Sequence, residues 1–455
     1  MATDRATGDA GRLDALDEGD ERSAASRSFV GSAVATSSLT ATYTALLFAT
    51  TIILARLLGP ESYGVYAIVT SVTAMVGVFA TPGLENLLIR DLAAYGVSND
   101  HSRSRGLMRV SSRLTLWIGL VLTVVLCLVT FVVHGWVLDS FTTTMVVGSL
   151  VIPVAALSRV RAASLVGLHR VVLSRLPELV VRPLSLLALV GIGVLVGLST
   201  SPEGAMAATV AAYAASYLVG ALVLRRVMPA AIPVAEPRYD AARWRKSAPA
   251  FLALALTDIL NSQLSVSLVG WLDTARSAGI FAVANRGAAL VALAFVGIAA
   301  VVAPRIARLW EAQEYDAVSR LLLRCSVMSA GFAIPVVVAV AVLDKRLLAL
   351  FGSGFKEGAA AFLIVALGQL AWSVVGIYAT ALLMTGGENR AALCTLISLV
   401  TTVVLSVVLV PRWGADGAAL AWTASMVLAQ GFTLVFWFNH RRSRRVTVEA
   451  RASAT

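Results

Sequence analysis

The chain has 455 residues, 58% of them hydrophobic and only 14% charged, with a net charge of +11. A soluble domain carries about 25% charged residues, so this composition excludes a water-clothed globular surface and points to a membrane protein. The basic excess sits in short Arg-bearing segments between apolar runs, not in one patch, which argues against nucleic acid and for Arg-rich cytoplasmic loops.

Residues 1–28 are polar and rich in Asp and Glu, with no basic stretch leading into a short apolar core. They read as a disordered cytoplasmic tail and not as a signal peptide. Beyond them, crossing the hydrocarbon takes roughly 20 apolar residues with every backbone group bonded internally, hence helix. Such runs lie at 34–58, 64–88, 114–134, 143–167, 177–198 and 204–227, then at 249–272, 279–303, 322–343, 360–385, 391–411 and 416–438. The expected fold is an all-α integral membrane protein of about twelve transmembrane helices. Cys127, Cys325 and Cys394 fall singly inside these runs and are expected to be buried thiols, neither disulfides nor metal ligands. Trp117, Trp136, Trp244, Trp271, Trp310, Trp413 and Trp437 lie mostly near run ends, where interfacial anchoring is expected.

Orientation follows from Lys and Arg. With the N-terminus inside, the cytoplasmic side receives Arg90, Arg103, Arg105, Arg109 and Arg113, then Arg159, Arg161, Arg170, Arg175 and Arg182, and later clusters of the same kind. The outer side keeps only Arg56, Arg276, Lys345, Arg346, Lys356 and Arg412. That imbalance places both termini in the cytoplasm and the chain in the cell membrane.

The sequence repeats. Tyr63-Gly64-Val65-Tyr66-Ala67-Ile68 matches Ala278-Gly279-Ile280-Phe281-Ala282-Val283 at an offset of 215 residues. The same offset pairs Arg90 with Arg305, Arg105 with Arg320, Arg109 with Arg324 and Ser111 with Ser326. The expected halves are 29–228 and 243–440, six helices each, joined by a Pro-bearing cytoplasmic linker at 229–242 and followed by a basic cytoplasmic tail at 441–455. Each half starts and ends inside, so the two are parallel repeats related by a two-fold axis along the membrane normal.

Several stretches resemble one family. Ala55-Arg56-Leu57-Leu58-Gly59-Pro60-Glu61-Ser62-Tyr63-Gly64-Val65-Tyr66 is similar to the first-loop signature of the polysaccharide-biosynthesis flippases, the O-antigen type, within the multidrug/oligosaccharidyl-lipid/polysaccharide exporter superfamily. Leu350-Phe351-Gly352-Ser353-Gly354-Phe355, Leu383-Met384-Thr385-Gly386 and the stretch from Val410 to Ala419 fit its second half, so the resemblance covers residues 29–440. It implies two helical bundles around a cavity that opens alternately to each side and carries the glycan of a polyprenyl-phosphate lipid. The implied partners are a lipid-linked oligosaccharide, on polyprenyl phosphate or diphosphate, and membrane lipids, with H+ or Na+ as the candidate coupling cation. No cofactor and no nucleic acid is expected.

Such a cavity needs Arg for phosphate and amides or hydroxyls for sugar, and ionisable groups inside the membrane are functional candidates by default. Arg286, about a third of the way into the eighth expected helix with Asn285 beside it, leads the substrate-side candidates, against a structural ion pair. Asp258 and Asn261 share one face of the seventh helix, against simple inter-helix hydrogen bonding. Glu85 and Arg90 close the second helix, where Arg90 also reads as a positive-inside anchor. Arg159 ends the fourth helix, with Arg161 two residues on and on a different face. Gln369 in the tenth offers a sugar contact or a core hydrogen bond. From Val34 to Leu54 the first helix carries hydroxyls but no acid and no Arg, a departure from the drug exporters and lipid II flippases of the superfamily, which stand as alternatives. A membrane glycan polymerase or glycosyltransferase is a further alternative, disfavoured by short outer loops and four unpaired His. Without a Gly-rich phosphate loop or an activated nucleophile, no enzymatic activity is expected.

Overall fold

The computed structural model describes residues 42–134, 137–196 and 201–452, without the side chains of 241–243, 245–250, 253, 254, 258 and 445–452. The tail expected at 1–28 lies outside these residues. The described chain is built of helices, with no strand among the described residues. In order they are α1 (Thr42–Ala80), α2 (Leu84–Val97), α3 (His101–Val133), α4 (Ser140–Gly167), α5 (Val171–Leu195) and α6 (Pro202–Val227). After the linker come α7 (Ala241–Leu272), α8 (Ala275–Ala288), α9 (Leu293–Glu311), α10 (Tyr315–Leu348), α11 (Ala359–Met384) and α12 (Glu388–Ala452).

Nine segments among the described residues are long and apolar enough to cross a membrane, against the expectation of about twelve. Two of the nine are broken inside. In α1 the break is Gly59, at φ +72°, directly before Pro60. In α12 it is Gly414, at φ 51° and ψ −125°. Both glycines hold backbone angles that a side chain disfavours. Thr402 donates to the Ser425 hydroxyl at 2.6 Å, whereas 23 residues of straight helix would separate them by roughly 35 Å. The chain therefore doubles back at Gly414. The 32-residue α7 covers the seventh expected run.

Several helices are longer than their apolar runs. α3 begins at His101, not 114, and α10 at Tyr315, not 322. Hydropathy marks only the part lying in hydrocarbon, and the helix continues as an Arg-bearing stretch until a cap stops it. Asp100 caps α3 by accepting the Arg103 backbone N–H at 2.9 Å. α12 likewise runs past 440 into the basic stretch, where Arg441 pairs with Asp316.

The apolar cores show how the halves meet. The largest joins Leu54, Tyr63, Ile68 and Val69 of the first half to Phe281, Val283, Phe351 and Phe355 of the second. It lies at the Arg-poor end, where Phe48 meets Phe351 edge-on at 5.5 Å and Tyr63 meets Phe355 at 6.1 Å. At the Arg-rich end each half has its own core. One gathers Leu87, Leu88, Leu92, Leu107 and Val160, with Trp244 of α7 inserted among them. The other gathers Ile306, Trp310, Leu322, Ile377 and Trp437. The halves are thus fused at one end and separate at the other, with α7 strapped to the first half. Trp244, Trp310 and Trp437 are core residues and not interfacial anchors; the Trp310 ring stacks on His440 at 5.2 Å.

A reciprocal contact marks the two-fold relation. A Cβ on Gly64 would lie 1.7 Å from the Ala275 carbonyl oxygen, and one on Gly279 would lie 2.2 Å from that of Pro60. Residues 60 and 275, like 64 and 279, are repeat equivalents, so each half presents the same patch to the other, as an isologous contact requires.

Candidate functional site

α8 carries Arg286 two turns beyond Gly279, roughly 10 Å further along and on the same face. Gly279 packs against Pro60 of the first half, so Arg286 lies on the face of α8 turned toward that half. The helix changes character there: Ala284 and Gly287 are buried, Asn285 is half-buried and Arg286 is exposed. Arg286 makes no hydrogen bond or ion pair among the described residues, and it lies close enough to Tyr63 of the first half to act on it electrostatically.

Glu85 and Arg159 come together for a different reason. The end of α1 tightens into a 3-10 turn at Val78–Ala80, and Gly83 at φ +71° turns the chain into α2. The break frees the Gly77 carbonyl, and Arg159 of α4 donates to it at 2.9 Å. Arg159 also lies 3.5 Å from Glu85, which accepts from Thr81 at 2.9 Å. Arg159 braces the break. Arg159→Ala would leave that carbonyl without its partner, at a cost of about 1–3 kcal/mol, seen as a lowered Tm of the purified protein. An unchanged Tm would show that the break needs no brace.

The other candidates lie apart. Arg90 bonds the fully buried Asp91 at 2.8 Å and covers the Phe251 ring at 5.7 Å, helping to strap α7 to the first half. Asn261 is half-buried and donates to the Thr257 carbonyl at 2.8 Å within its own helix. The Asp258 side chain lies outside the described residues. Gln369 is buried in α11, and its Oε1 has no hydrogen-bond partner among the described residues. The described side chains among the eight do not form one constellation; Arg286 and Asn285 are neighbours on α8, apart from the Glu85–Arg159 pair and from Arg90.

Three features escaped the sequence reading. Arg182, assigned to a cytoplasmic segment, lies midway along α5 and donates to Tyr213 at 2.6 Å and to Tyr43 at 2.9 Å, with Glu178 at 3.8 Å. Its place five residues inside the fifth apolar run was the available signal. Arg161 stacks on Tyr217, its guanidinium carbon 3.9 Å from the ring centre. Arg56, placed on the outer side, donates to the carbonyls of Ala349 and Leu350 past the end of α10 in the other half. A cation suits a helix C-terminus.

Known proteins share this fold. A family model described as "Polysaccharide biosynthesis protein" matches residues 53–360, well over half of the chain. Over 172 residues the sequence is 28% identical to "Probable flippase AglR" of Haloferax volcanii, a match covering 37% of this chain and only 36% of that relative. The structure is similar to an inward-facing multidrug resistance MATE family transporter of the MOP superfamily, with TM-score 0.72 and 15% identity over 89% of this chain and 96% of that one. It is also similar to the lipid II flippase MurJ in an inward closed conformation, with TM-score 0.69 and 13% identity over 87% and 86% of the two chains. An outward-facing MATE transporter gives 0.61 at 13% identity over 91% and 96%. At such identities the likeness is one of fold.

Proposed function

Since the chain belongs to the polysaccharide biosynthesis protein family, we propose that it is a flippase. Its substrate is an oligosaccharide linked to polyprenyl phosphate or diphosphate, moved across the cytoplasmic membrane for surface polysaccharide or glycoprotein glycan assembly. The observation that carries this reading is Arg286, exposed on the face of α8 turned toward the first half and without a carboxylate partner among the described residues. The Arg-rich end is cytoplasmic by the charge rule, so the cavity faces the substrate's site of synthesis. The lipid phosphate meets the Arg286 guanidinium, which can bond it through two parallel N–H groups. Asn285 contributes an amide, and the lipid tail stays in the bilayer. Parting of the fused end, with closure of the other, moves the glycan across.

The direct test is reconstitution. Purified protein in liposomes should move a fluorescent short-chain lipid-linked oligosaccharide between leaflets without nucleotide and return it chemically unchanged. Hydrolysis of ATP, elongation of the glycan, or no transfer above protein-free liposomes would overturn the proposal.

A further inference from the structure

We infer that the first half carries a second anion site, separate from Arg286, that holds the phosphate of a lipid in the inner leaflet between α4, α5 and α6. The placement of that leaflet rests on the Arg-rich end being cytoplasmic. The site is a cleft whose polar lining is Ser158 and Arg161 of α4, Ser174 and Glu178 of α5, and Ser216 and Tyr217 of α6. α5 widens here into a π-helical turn over Pro177–Val181, a distortion common at functional sites.

Most of the lining is already committed. Ser158, Ser174 and Ser216 donate to the carbonyls of Val154, Val171 and Pro177 at 3.0, 2.6 and 2.8 Å. Glu178 is turned to Arg182. What remains is Arg161. Of its five N–H donors one goes to the Tyr217 hydroxyl, and among the described residues it has no other hydrogen bond and no carboxylate partner. The Tyr217 oxygen accepts that bond, so its own proton is available to a ligand. Arg161 and Arg182 against Glu178 leave the cluster with one positive charge in excess, and Arg225 at the end of α6 adds repulsion. A cation so placed in a low-dielectric setting calls for an anion.

Depth and surroundings identify the anion. Arg161 is six residues from Gly167, the Arg-rich end of α4, or roughly 9 Å of helix. That is where the headgroup layer meets hydrocarbon. Val171, one turn before Ser174 on the face of α5 that lines the cleft, is 46% exposed and offers an apolar surface to an acyl or prenyl chain. A soluble anion gains nothing from it, whereas a phosphate with a tail does.

The test uses the full-length chain carrying Arg286→Ala, so that the central cation does not contribute, with Kd read by native mass spectrometry or tryptophan fluorescence. The probes are a short-chain polyprenyl phosphate, the matching polyprenol and a short-chain phosphatidylglycerol. Arg161→Gln should weaken binding of at least one phosphate-bearing probe roughly ten- to hundred-fold and leave polyprenol unchanged. Arg161→Lys should keep part of the binding, because the charge stays while the planar fork is lost. A loss confined to polyprenyl phosphate assigns the site to the substrate's carrier; an equal loss for phosphatidylglycerol assigns it to a resident phospholipid. The inference is overturned if polyprenol binds as tightly as its phosphate, or if well-folded Arg161→Gln protein holds both phosphates as tightly as its parent. Should the Gln variant not fold, the polyprenol comparison and the Lys variant still decide. None of these measurements depends on transport, so failure here is separate from failure of the flippase reading.

Discussion

Arg286→Ala should reach the membrane at normal level, keep its Tm and lose most lipid-linked oligosaccharide transfer in liposomes. The folded protein gives up no contact, because Arg286 has no hydrogen bond or ion pair among the described residues. Placing a cation at membrane depth costs at least about 2.5–3.5 kcal/mol on insertion scales, so its removal relieves the fold. Transfer suffers because a charge-assisted bond to phosphate contributes about 1.5–3 kcal/mol, or roughly ten- to a hundred-fold in apparent affinity. Arg286→Lys should recover part of the activity. If both variants instead lowered Tm and kept transfer, Arg286 would be a structural residue and the central anion site would have to lie elsewhere.

The second large effect is steric. Gly64→Val should block transfer while the protein still inserts, and Gly279→Val should do the same. At each position the new Cβ falls on a backbone carbonyl of the other half, 1.7 and 2.2 Å away, and a backbone cannot swing aside as a side chain can. Overpacking of this kind costs about 1–3 kcal/mol or more. It falls on the fused end alone, so the halves should part there. A cysteine at position 48, in a background lacking the three native cysteines, should then react with an impermeant reagent from outside, whereas without the valine the Phe351 contact shields it. Gly191→Ala is the control, since nothing lies within 4 Å of its Cβ. Wild-type transfer by a well-expressed Gly64→Val protein would show that the contact is not a gate.

These two predictions draw on different levels of information. Arg286 stood out in the sequence because an ionisable residue inside an apolar run is costly and therefore rare. Its exposure, and the lack of any partner among the described residues, required the packing of Gly279 on Pro60. The glycines reversed this order. The offset of 215 residues that pairs them is visible in the sequence, yet nothing there says that equivalent glycines touch, because a repeat fixes similarity and not the position of the axis.

The sequence by itself determined the membrane class, the helical character, the Arg-rich end and the internal repeat, since each follows from composition or spacing along one chain. Only the tertiary structure decided which charges serve the fold. Arg159 and Glu85 looked like cavity residues but brace a broken helix, and Arg182 looked like a loop residue but is held by two tyrosines inside a bundle. The physical reason is that a charge in a low-dielectric setting takes its role from whichever partner neutralises it. Tyr43 lies 139 residues from Arg182, and the Gly77 carbonyl 82 residues from Arg159, so no local pattern could have named either partner.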